Sequence, residues 1–371
     1  MACKIVKKKM NIDELYKQIT TKGSKFCYPF INNNENEDFL GYVLGLIDQY
    51  KGLISTLDDE SIDKLNHAYD KVLTGKTLQK EFDILRDVNE ISKIVRDVLC
   101  LSYRSYHEDA LKNLKDFLHA DNRFYLNMLP NLFLDKCDLY RLRTDHLDTY
   151  NDGELFHVPF EKREFVSTQR FSIPGYPALY LSDSFYTCWC EFDKPALVGL
   201  SFAKFRYKNK NENESPMFLD LCWPDEKKEL WEMYSFLAMY PLLMSCMVRV
   251  KTPNAPFKPE YLMPQLMMKI VREQNGRFAG IVYMPNKLSF TGNLHSIKSR
   301  NYVVCVYNAV CKSGHDKDLA SCLEMTPIHT LTQEDVDNAT SYNQKRLVID
   351  FAKLEEIVCE YHDIEVEMER G

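Results

Sequence analysis

No run in this sequence approaches the roughly 18–20 uncharged apolar residues that a membrane-spanning helix requires, so no membrane association is expected. A basic surplus is also lacking. Lys and Arg number 47 against 54 Asp and Glu, for a formal charge of −7, whereas a general nucleic-acid binder would usually carry the opposite balance. The start, MACKIVKKKM, is basic but is followed by NIDELYKQ rather than an apolar core, so it does not read as a secretory signal. Lys7, Lys8 and Lys9 are a short basic stretch, and a cytoplasmic location is expected. Metal and redox spacings are missing too. Among 12 cysteines there is no C-x-x-C, and no H-E-x-x-H occurs. Only Cys188 and Cys190 lie close together, as C-W-C, and their thiols would point in different directions. Scattered buried thiols and no metal are expected. Neither G-x-x-x-x-G-K-[ST] nor G-x-G-x-x-G occurs, which removes P-loop ATPases, standard kinases and Rossmann dehydrogenases. A G-x-S-x-G nucleophile elbow is absent as well.

What is present is the balance of a globular protein. The 371 residues are 45% hydrophobic and 27% charged, enough for a large core and for two domains. Residues 1–130 read as helix. After a candidate N-cap at Asp38, apolar residues fall at Phe39, Val43, Leu46, Ile47, Tyr50, Leu53 and Ile54, the spacing of one helical face. A second stripe runs from Leu78 through Phe82, Leu85, Val88, Ile91, Val95 and Val98 to Leu99, and a third joins Leu111, Leu114 and Leu118. Beyond 131 the texture changes to short β-rich runs: Asp138–Arg143, Ala178–Leu181, Ala196–Phe205, Met217–Leu221, Ala279–Tyr283 and Asn301–Asn308. Helices opening at Pro224 and Pro259 interrupt them. The expectation is an α+β fold, with a helical domain over 1–130 and an α+β domain over 131–371. His157 and His295 are expected to be structural, and Met263, Met267 and Met268 to be core helix.

The stretch richest in chemistry runs from Leu139 to Glu191. Arg141 leaves a strand, with Arg143 on the same face by alternation. Arg170 precedes the Pro174-Gly175 turn, and Tyr180 sits in the next strand. Ser184 reads as a helix N-cap, with Thr187 and Glu191 on its face at helical spacing. Two cations, an aromatic ring and a carboxylate without metal ligands suit the phosphates and ribose of a dinucleotide, and an arginine fork matches a pyrophosphate in a way that lysine does not.

These residues resemble the RES domain family, named for its Arg, Glu and Ser. Its best-known members are bacterial toxins that consume NAD and share a fold with ADP-ribosyltransferases. The family's pattern corresponds here to Tyr140-Arg141, Arg170-Phe171-Ser172, Pro174-Gly175, Pro177, Leu179-Tyr180-Leu181, Ser184 and Glu191. Further on, the helix from Glu260 to Leu266 and the strand Gly280-Ile281-Val282-Tyr283 continue the likeness, which covers roughly residues 133–310. There is one departure. The family's serine two residues beyond the tyrosine is Pro285 here, and Ser289 and Thr291 are the nearby hydroxyls.

The resemblance implies an ADP-ribosyltransferase-type sheet, NAD as substrate, no metal, and cleavage of the nicotinamide–ribose bond by a toxin or defence effector. Glu191 would stabilise the developing oxocarbenium charge, Arg141 would hold the pyrophosphate, and Tyr180 would orient the nicotinamide. Arg170, Arg143, Ser184 and Ser289 would complete the NAD site. An antitoxin or trigger protein is the implied partner, with the N-terminal helices taking part of that control, and self-association stays open. ADP-ribosyl transfer to a protein or nucleic acid, or an inactive binding module, are the alternatives. The acceptor is left open between water, phosphate and a macromolecule.

Overall fold

The structure is a computed structural model that describes residues 9–70, 81–120, 125–134, 137–144, 152–208, 215–222, 229–274, 276–287, 299–307, 313–343 and 346–364. It is an α+β fold whose contacts group it into two compact units. One holds the described parts of Met1–Pro130 and Leu221–Met267. The other holds those of Asn131–Asp220, Met268–Ser289 and Lys298–Gly371.

The first unit is helical: α1 (Ile12–Thr20), α2 (Phe39–Ile54), α3 (Asp59–Asn66), α4 (Ile84–Tyr103), α5 (His107–Leu118), α6 (Tyr125–Met128) and, from far along the chain, α8 (Leu230–Met247). The stripe read for α2 is the face it buries, and Asp38 caps it by accepting from the Gly41 N–H at 2.8 Å. The second stripe is shorter than its spacing suggested. Residues 71–80, including Leu78, lie outside the described residues, and α4 begins at Ile84 behind the N-cap Asp83. Phe82 precedes the helix and stacks on Tyr69 at 4.4 Å between centroids, and Leu85 is exposed.

Residues of α8 are buried on every side, from Met233 to Met247 without a break, so neighbours must surround it. They come from the first unit: α2, α3, α4 and α6 all pack on it. Its hydroxyls are tied in as well. Tyr234 donates to Asp87 at 2.7 Å, Ser235 and Tyr69 share a hydrogen bond, and Tyr240 donates to the Phe26 carbonyl. Sequence order alone had set this segment with the β-rich half, which it interrupts; its contacts set it with the helices.

The second unit is built on a ten-stranded sheet. Its strands are β1 (Asn131–Phe133), β2 (Leu139–Arg143), β3 (Ala178–Ser182), β4 (Ser201–Tyr207), β5 (Met217–Asp220), β6 (Gly280–Tyr283), β7 (Asn301–Cys305), β8 (Leu323–Met325), β9 (His329–Thr330) and β12 (His362–Asp363). They lie in the order β1-β5-β6-β7-β3-β2-β4-β8-β12, with β9 also on β4, and β5–β6 is the parallel pair. A hairpin of β10 (Thr340–Asn343) and β11 (Arg346–Ile349) stands apart. The strand expected from Ala196 starts at Ser201, because Gly199, at φ +87°, turns the chain before it.

The helices of this unit are α7 (Phe185–Glu191), the end of α9 (Leu262–Glu273), α10 (Lys317–Cys322), α11 (Gln333–Ala339) and α12 (Phe351–Glu355). A core of Tyr140, Leu142 and Phe202 from the sheet, Phe185 and Cys188 from α7, and Leu331, Ala339 and Leu354 from the C-terminal part fixes α7 against the strands. Gly280, where β6 lies against β7, has no room for a side chain. A Cβ there would overlap the Val303 carbonyl.

Candidate active site

The middle of the sheet parts at β2 and β3. The two strands are bridged at one pair, Tyr140 opposite Ser182, although each pairs fully with its other neighbour. Continued pairing would have brought Leu142 opposite Tyr180. Instead the Arg141 guanidinium donates from Nη1 to the Tyr180 carbonyl at 3.3 Å, filling the gap with charge. Among the described residues this is the one hydrogen bond of Arg141, so most of its donors are uncommitted. Burial first, and the like charge of Arg143 second, bring its pKa down to about 10, which still leaves it cationic at neutral pH. Across the same gap the Tyr180 hydroxyl meets Ser172 Oγ at 2.8 Å.

Glu191 closes α7, and its carboxylate is held from three sides. The Lys287 N–H donates to it at 3.3 Å, the Asn301 side chain hydrogen-bonds it, and the charge of Arg170 favours its ionised form. Arg170 itself is buried. Asn301 is oriented by the sheet, where it pairs with Ser182, whose Oγ donates to Asn301 Oδ1 at 2.6 Å. With its oxygen taken, the amide has only its NH₂ to offer Glu191. Burial outweighs these favourable partners, so the Glu191 pKa lies above the ordinary carboxylate range.

The link between the two clusters is Cys188. Its thiol donates to the Tyr140 carbonyl at 3.0 Å and feels the charges of both Arg141 and Glu191. Burial pushes this thiol up to about 12, so it stays protonated and is a spacer rather than a nucleophile. Thus Arg141, Tyr180, Arg170 and Glu191 gather where β2, β3, β7 and α7 meet.

The remaining sequence candidates divide. Ser184 is the N-cap of α7 as read: it accepts from the Thr187 N–H at 3.1 Å and bonds the Thr187 hydroxyl at 2.8 Å, so its oxygen is committed to the helix start. Arg143 lies 3.9 Å from Glu154 and is drawn toward that acid. Ser289, with Thr291 and His295, lies outside the described residues. His157 is structural as expected. Its Nδ1 donates to the Val158 carbonyl and its Nε2 accepts from the Asp316 N–H, both at 2.8 Å, and burial lowers its pKa to about 4, keeping it neutral.

Sequence reasoning passed over Asn301, Ser182, Lys287 and Asp183. Asp183 is the most telling. Burial lifts its carboxyl to about 7, even though its side chain accepts from Thr187 at 3.2 Å. Its place just before an N-cap serine was the available signal. Among the described residues no group of three or more His, Cys, Asp or Glu is placed to hold a metal, and no helix is long and apolar enough to cross a membrane.

Fold and site together define an α+β protein with arginines and a half-buried glutamate about the parting of two strands. No family model matches the chain, and no solved structure does. It is similar to a protein of Bacillus subtilis (strain 168) named "Putative toxin YopC", with 34% identity over 168 residues. That match takes in 41% of this chain and spans 37% of the length of the Bacillus protein.

Proposed function

We propose that the chain binds NAD at the parting of β2 and β3 and cleaves its nicotinamide–ribose bond. As that bond breaks, nicotinamide leaves with the bonding pair and the ribose becomes oxocarbenium-like. An acceptor nucleophile then forms the new bond to the anomeric carbon. A carboxylate in poorly hydrated surroundings interacts more strongly with this developing cation than it would in water. Glu191 meets that requirement, and its protein partners fix its direction before the reaction. Arg141, with donors to spare, takes the pyrophosphate, Arg170 supports it, and Tyr180 lies against the nicotinamide.

The observation carrying this reading is that Arg141 fills the gap between β2 and β3 while α7, the helix that Glu191 closes, is bonded to β2 through the Cys188 thiol and the Tyr140 carbonyl at 3.0 Å. The likeness to a protein named a toxin supports a role in which NAD loss harms a cell, with an antitoxin as partner. The test is nicotinamide release from NAD by the full chain. We expect release by the wild type, a fall of at least about 100-fold in Glu191→Gln and a raised KM in Arg141→Lys, with circular dichroism unchanged. Equal rates in wild type and Glu191→Gln would refute it. Free ADP-ribose, its phosphate or a protein adduct in the mass spectrum identifies the acceptor.

A further inference from the structure

Resting on the dinucleotide reading above, we infer that Tyr176 and Arg272 form the adenosine end of the site, and that Arg272 takes a phosphate on the 2′ oxygen, so that NADP is accepted as well as NAD. The basis is one face of the β3–β7 ladder. Ser182 pairs with Asn301, Tyr180 with Val303 and Ala178 with Cys305. Partners across a ladder share a face, as does every second residue along it, so these six side chains point the same way. Glu191 stands at the Asn301 end of that face. At the other end the Cys305 thiol donates to the Met268 sulfur at 3.4 Å, which seats α9 there. Arg272 follows Met268 by one helical turn, on the same side of α9.

Tyr176 reaches this end by another route. A single segment runs over the ladder: the charge of Arg170 reaches Glu191, Ser172 meets the Tyr180 hydroxyl at 2.8 Å, and the Pro174-Gly175 turn delivers Tyr176, whose N–H donates to the Ile173 carbonyl at 3.0 Å. The Arg272 guanidinium lies over the Tyr176 ring, 5.3 Å from its centroid, and the tyrosine is 43% exposed. Among the described residues Arg272 has this ring contact and neither a hydrogen bond nor an ion pair, so its N–H donors are uncommitted. An open aromatic ring beside an unpaired guanidinium is the chemistry that stacks a base and takes a phosphate in a fork. An arginine near the adenosine ribose is also what accommodates a 2′-phosphate at other dinucleotide sites. The spacing fits. From Ser182 to Ala178 the strand advances about 13 Å, and Tyr180, whose carbonyl holds Arg141, lies halfway. Carboxylate, arginine and ring thus follow the order of ribose, pyrophosphate and adenine in an extended dinucleotide.

The test is calorimetry on the full chain, with adenosine 2′,5′-bisphosphate in one arm and adenosine 5′-monophosphate in the other. We expect the bisphosphate to bind at least about tenfold more tightly. Arg272→Met should erase that difference, and Tyr176→Ala should weaken both nucleotides about tenfold, with circular dichroism unchanged. Equal affinities in the wild type, a preference that survives Arg272→Met, wild-type binding by Tyr176→Ala, or no binding of either compound below about 5 mM would each overturn the inference. Neither probe carries nicotinamide, so the result is read independently of bond cleavage. Absence of nicotinamide release from NAD would remove the proposed reaction and leave this subsite standing.

Discussion

At the scale of single residues, the site is governed by what burial does to two carboxyls. In the folded chain burial raises the Asp183 carboxyl to about 7, from about 4 for an exposed aspartate. Between those values the folded state holds a proton that the unfolded state has released. Stability from this group is therefore complete below about pH 4 and is lost as pH rises toward 7. Asp183→Asn should flatten that decline, which is at most about 4 kcal/mol, in urea titrations run across the interval. A slope unchanged from wild type would show that Asp183 ionises freely.

In the proposed reaction Glu191 acts ionised, so its raised pKa should set an acid limb in the rate, with activity falling as pH drops through a value above the ordinary carboxylate range. Asn301→Ala deletes a donor to the ionised form and should move that limb to higher pH by up to about one unit. A merely structural role for Asn301 would lower the rate without moving the limb. The Ser184 cap and the place of Glu191 on α7 could be read from local spacing. The support of Asn301 could not, because its partner Ser182 is 119 residues away and only strand register brings them together.

Among elements, α8 shows what a linear reading misses. Its apolar composition was plain, but a helix buried all round carries no stripe to say which neighbours it will have. The α2 stripe, by contrast, was legible from its N-cap to its end. Strands as short as β9 and β12, two residues each, carry too little alternation to be read at all.

Because α8 is wrapped by α2, α3, α4 and α6, a chain truncated before residue 131 should expose its apolar surface and aggregate. Soluble, active truncated protein would contradict that packing. Asp87, buried and accepting from Tyr234 at 2.7 Å and Tyr125 at 3.1 Å, joins α4 to α8 and α6. Asp87→Ala strands the Tyr234 phenol, while that of Tyr125 keeps Glu90 at 2.7 Å, and should cost about 1–3 kcal/mol in urea unfolding.

For the whole molecule, the proposed chemistry predicts a cellular effect. Expression of wild type should lower total NAD and arrest growth, and Glu191→Gln expressed at the same level should do neither. Arrest by both variants would place the harm elsewhere. The sheet and the helical unit are separate in contacts yet interleaved in sequence, so neither can be lifted out as one continuous piece.

The glycine at position 280 lets β6 lie directly against β7, the strand that carries Asn301. Because β7 runs against that bare backbone and begins with Asn301, an added methyl at 280 would lever the strand outward and tilt the amide that steadies Glu191. A lineage under pressure to disarm this protein could do so with one small change behind the proposed site, sparing every side chain to which a contact with the nucleotide is assigned above.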